Sequence, residues 1–159
     1  REHLPGLLGA LVLGGGGGAV LLGLTPLSSR HSTALDFLFV LAPLLGLVFA
    51  AFALVIALLN DPYMRWLDAK GVGVAAVLEP YLASIAIQVT AILLAVGYRA
   101  AGPVLWVGVE AAAWLVLCFL FVWALFDVVA LGRGMLFHGI ARARELKERD
   151  RAQPVDRDG

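Results

Sequence analysis

Charge is what this chain has least of. Charged residues make up 15% of its 159 positions, against roughly a quarter in soluble domains. Hydrophobic residues make up 61%, and the mean hydropathy is +0.90. A chain so composed has too little polar surface to wrap its apolar content, which excludes a water-soluble domain. A basic excess is missing too, because twelve Lys and Arg balance twelve Asp and Glu, so nucleic acid is not an expected partner. The single cysteine, Cys118, lies inside an apolar run, which excludes a disulfide framework, a CxxC redox pair and a thiolate metal site. His3, His31 and His138 fall at or near the ends of the apolar runs, leaving no axial pair for a buried haem and no metal-ligand spacing. Lysine is absent from the middle of every run, and neither HExxH nor a serine-nucleophile motif occurs. These absences predict a protein that is not an enzyme and holds neither cofactor nor metal.

What the chain does have is long apolar runs. Four of them, about 4–24, 37–59, 76–98 and 103–131, are long enough to cross about 30 Å of hydrocarbon at 1.5 Å per residue. The expected fold is an all-α integral membrane protein. It is a four-transmembrane-helix bundle over 1–134, followed by a short charged cytoplasmic helix over 135–151 and a disordered tail at 152–159. The first run has a rival reading as a signal peptide, with Ser32-Thr33-Ala34 as its small-residue cleavage site. Residues 25–35 read as a polar connector, closed by Asp36 as the cap of the second helix. The third run contains Glu79-Pro80, so its helix begins either at Pro80 or further back as one continuous helix that buries Glu79.

Small residues recur at helical spacing. Gly6, Ala10, Gly14 and Gly18 form one row on the first run, and Gly15, Ala19 and Gly23 form a second. On the second run, Ala42, Gly46, Ala50, Ala53 and Ala57 form a stripe against the bulky Phe39, Phe49 and Phe52. Such rows let helix backbones approach closely in a bilayer. The third run carries two faces of this kind: Ala83, Ala86, Thr90 and Gly97 on one side, and Ser84, Gln88, Ala91 and Ala95 on the other. It is therefore expected at the bundle centre or at a contact with another subunit. Val96-Gly97-Tyr98 matches three residues of a potassium-channel filter, but the flanks differ and no pore helix precedes it, so it reads as chance.

Ionisable groups inside apolar runs are the candidate functional residues, because a charge near the bilayer centre costs at least a few kcal/mol. They are Glu79, Glu110 and Asp127, with Gln88 as a mid-span amide and Arg133 as a partner for Asp127. Glu79 and Asp127 are expected at similar depth and could form an acidic pair. Glu110 and Asp127 stand seventeen residues apart on one run, about 25 Å along a helix, and so frame the span from its two ends. Ala113, Leu117, Leu120 and Ala124 lie in the sector they bound, which should face the bundle.

Ten of the twelve basic residues fall in the N-terminus, the 60–70 loop and the C-terminal tail, leaving Arg30 and Arg99 for the other side. This asymmetry predicts a multi-pass plasma-membrane protein with both termini cytoplasmic. The function expected is that of a non-catalytic accessory or scaffold subunit, packing by its helices against itself or larger membrane partners. Its partners would be the lipid bilayer and a homo-oligomer or larger membrane complex. The alternative is a small oligomeric proton-coupled transporter or cation channel that uses the intramembrane carboxylates.

Overall fold

The computed structural model describes residues 4–59, 64–65, 71 and 73–152. Of these residues 94% are helical and none is in a strand. The first run forms α1 (Leu4–Ala10), a π-helical stretch (Leu11–Gly16) and α2 (Gly17–Leu24). The wider π turn falls on the start of the glycine run, where little side-chain bulk opposes it. Helix α3 covers Leu27–Leu58, α4 covers Val74–Ala101, a 3-10 turn covers Gly102–Val104, and α5 covers Val107–Ala152.

Four helical segments are long and apolar enough to cross a membrane: Leu7–Leu24, Leu27–Ala57, Val74–Ala101 and Val107–Leu136. Two compact units divide the chain, Arg1–Val128 and Val129–Gly159, and the core described here belongs to the first. The second unit is helical as far as Ala152. Of the tail assigned to 152–159, Ala152 still belongs to the helix, and 153–159 and most of the 60–70 loop lie outside the described residues.

Two boundaries differ from the sequence reading, and a third, left open there, is decided. The 25–35 connector shrinks to Thr25 and Pro26. Thr25 ends α2 in extended conformation, with its amide donating to Leu21 O at 2.9 Å, and α3 begins directly after Pro26. Thr33, one of the polar residues that suggested a loop, donates its hydroxyl back along the helix to Ser29 O at 3.0 Å. Asp36 is therefore an exposed mid-helix residue rather than a cap. In α4, Pro80 is internal, and of the two starts left open the continuous one is found, from Val74, with Glu79 exposed. The Gly132-Arg133-Gly134 sequence does not end a helix either, since α5 runs through it.

The core has two layers. In one, Ala34 of α3, Ala95 and Tyr98 of α4, and Trp114, Leu117 and Cys118 of α5 pack together, with Leu22 of α2 against them. In the other, Leu41, Ala91 and Ala124 meet, flanked by Phe37, Leu120 and Phe121. Phe37 stacks on Phe121 with ring centroids 4.0 Å apart, joining the layers through an aromatic column that continues to Trp114. Helix α4 is the most enclosed span, with 33% of its most apolar window buried against 11–17% for the other three.

The first span docks on α5 through its glycines. Ala10, Gly14 and Gly18 are buried, whereas Gly23 of the second row faces open space. A Cβ on Gly14 would stand 2.8 Å from Phe119 Cα and 2.9 Å from the Cys118 carbonyl oxygen, both backbone atoms that cannot swing aside. The contact is fixed by Trp114 Nε1, which donates to Gly18 O at 3.2 Å. In water the remaining surface would be untenable: Phe39, Val12, Leu93 and Trp106 are each 66–79% exposed, and an apolar patch that extensive calls for lipid or protein against it.

Candidate functional site

Polar side chains enter the core at two levels. At the first, Glu110 sits in the opening turn of α5 and is only 5% exposed. Its position near a helix N-terminus favours negative charge. Arg30, in the first turns of α3, donates from Nη1 to Glu110 Oε2 at 2.8 Å. Tyr98, near the end of α4, donates its hydroxyl to Glu110 Oε1. One carboxylate thus ties together the ends of three helices. The His31 imidazole lies edge-on to the Tyr98 ring at a centroid distance of 5.2 Å, beside Gly102, where a Cβ would collide with Nε2. Arg30 Nε and His31 Nε2 have no hydrogen-bond partner among the described residues.

At the second level, Ser84 and Gln88 of α4 are fully buried and Asp127 of α5 is 9% exposed. Gln88 Nε2 donates to Ser84 Oγ at 3.3 Å. Gln88 Oε1 and Asp127 Oδ2 have no hydrogen-bond partner among the described residues. Between the two levels the buried residues Leu41, Ala91, Ala95, Leu117 and Ala124 are all apolar and completely enclosed.

The remaining expected site residues are dispersed. Glu79 is exposed on α4, with its neighbour Tyr81 turned into the core. Arg133 is exposed and belongs to the second unit. Gly46 and Ala50 lie on an exposed face of α3, and Gly46 has no atom within 4 Å of a would-be Cβ. Gly14 and Gly18 are at the α5 contact described above. No group of three or more His, Cys, Asp or Glu side chains converges among the described residues.

No family model, curated protein or solved structure matches this chain. The function must therefore be argued from its own geometry. What the sequence reading missed is Arg30, together with Tyr98 and His31. Arg30 was assigned to a loop and so had no reason to meet Glu110. A signal did exist: Arg30, in the connector before the second run, and Glu110, just inside the fourth, are opposite charges assigned to the same side, where Arg99 is the one other basic residue.

Proposed function

We propose that this is a multi-pass integral membrane protein that acts through helix packing, as a non-catalytic accessory or scaffold subunit that assembles with itself or with larger membrane proteins. The observation that carries this reading is the unused small-residue surface. Ala42, Gly46, Ala50, Ala53 and Ala57 are all exposed on α3, within a sector of about 80° at 100° per residue. Ala83, Ala86, Thr90 and Gly97 are all exposed on α4, opposite the face the helix buries in its own bundle. A lipid-facing surface gains nothing from such residues, whereas a helix–helix contact in a bilayer gains close backbone approach.

The buried groups are compatible with this role. The Glu110 charge is matched by Arg30 and serves to hold helix ends, and the closed apolar layer weighs against a relay from that end of the bundle to the other. The ten-to-two distribution of basic residues supports a plasma-membrane orientation with both termini cytoplasmic. The test is the mass and composition of the native protein extracted in mild detergent. Co-purifying subunits or a defined homo-oligomer are expected, and a lone monomer would sink the reading.

A further inference from the structure

Gln88 Oε1 and Asp127 Oδ2 are both hydrogen-bond acceptors, both enclosed, and both unpartnered. Two orphan acceptors are costly in a protein interior, and more so when one belongs to a carboxyl group. Their relative position follows from the register of the two helices. Helices α4 and α5 are antiparallel: Tyr98 reaches Glu110 near one end, Tyr98 packs on Trp114 with ring centroids 5.7 Å apart, and Ala91 and Ala124 share the second core layer. Gln88 precedes Ala91 by three residues and Asp127 follows Ala124 by three, so both steps descend about 4.5 Å in the same direction. The two residues therefore lie at about the same level, each on the buried face of its helix, and Ser84 Oγ accepts from Gln88 Nε2.

Among the described residues no side chain, basic or otherwise, donates a hydrogen bond to either orphan oxygen. The spans of α1, α2 and the part of α3 beyond Asp36 contain no ionisable side chain. On α4, Glu79 points outward and Tyr81 is engaged with Phe52 at a centroid distance of 6.3 Å. On α5 within this unit the other ionisable groups are Glu110, about 25 Å away, and Cys118. Arg30, partly buried, is committed to Glu110 at the other level.

We propose that the Gln88–Asp127 level is a binding site for one small monovalent cation, a proton or an alkali ion, held between Asp127 Oδ2 and Gln88 Oε1 with Ser84 Oγ in support. A proton on Oδ2 turns that oxygen into a donor towards Gln88. An alkali ion is met by the same hard oxygen donors. The apolar layer above closes the site from the Arg30–Glu110 end, so the cation exchanges from one side. The site is independent of the assembly role: a chain that proves monomeric can still carry it, and an oligomer can lack it.

The test is infrared difference spectroscopy on the full chain in lipid nanodiscs, with two perfusion arms. One exchanges sodium for a bulky organic cation at fixed pH, and the other steps pH in the bulky cation alone. The expected result is an Asp127 carboxyl signal in at least one arm. In the sodium arm it is a change of the carboxylate stretch, and in the pH arm it is a protonated C=O band sensitive to deuterium exchange. That signal disappears in Asp127→Asn, which keeps shape and volume, and its midpoint weakens about tenfold in Gln88→Leu, the factor that loss of one polar contact implies. Circular dichroism confirms that each variant retains its helices. Identical wild-type and Asp127→Asn spectra in both arms would overturn the site, as would an unchanged midpoint in a folded Gln88→Leu protein.

Discussion

At the scale of single residues, the arrangement at Glu110 makes the sharpest demands. A carboxylate 5% exposed is tolerated because Arg30 and Tyr98 both donate to it, and removing one member leaves a buried charge without its match. Arg30→Met or Glu110→Leu alone is expected to destabilise the bundle by about 3–5 kcal/mol, and the double substitution to recover most of that loss. Denaturant titration in mixed micelles, run as a double-mutant cycle, measures both quantities. At Gly14, where a Cβ would meet Phe119 Cα at 2.8 Å, substitution by Ala should cost about 1–3 kcal/mol through forced separation of the first span from α5. The same change at Gly23, which faces open space, should be neutral. Comparing these two glycines in one unfolding assay separates close packing from any general effect of glycine on helix stability.

At the scale of helices, Trp114 joins α5 to α2 by its bond to Gly18 O. Trp114→Phe keeps most of the ring packing against Tyr98 and Phe37 but loses the donor. A loss of about 1 kcal/mol is expected, read as greater protease access to the first span. The exposed stripe on α3 predicts a different response. Gly46→Leu combined with Ala50→Leu should leave monomer stability within about 0.5 kcal/mol while abolishing assembly, read by thermal unfolding and by cross-linking in native membranes. Much of this level could be read from the sequence. The four apolar runs, the inward sector holding Ala113, Leu117, Leu120 and Ala124, and the two-faced α4 all follow from helical periodicity, and periodicity survives in a bundle because it is what packing selects. The ends of the helices could not be read so well. Ser28, Ser29, Ser32 and Thr33 have the composition of a loop, yet they form regular helix after Pro26, since their hydroxyls can bond within the helix. With that boundary misplaced, the meeting of Arg30, Tyr98 and Glu110 was hidden. So was the level shared by Gln88 and Asp127, which depends on the register between two helices and not on either one alone.

At the scale of the whole molecule, the first unit is a core of modest size, polar at two levels and closed by an apolar layer between them. Around it lie large apolar side chains and two small-residue faces that its own helices do not use. In the proposed role a bilayer would cover the first feature and a partner helix the second. The measurement that bears most directly on this account is native mass spectrometry of the protein released from lipid nanodiscs, for wild type and for Gly46→Leu combined with Ala50→Leu. The account predicts a defined assembly for wild type, homo-oligomeric or with membrane subunits, which collapses to the 16.8 kDa chain in the double variant. A wild-type protein released as that single chain, or an assembly unchanged by both substitutions, would contradict it.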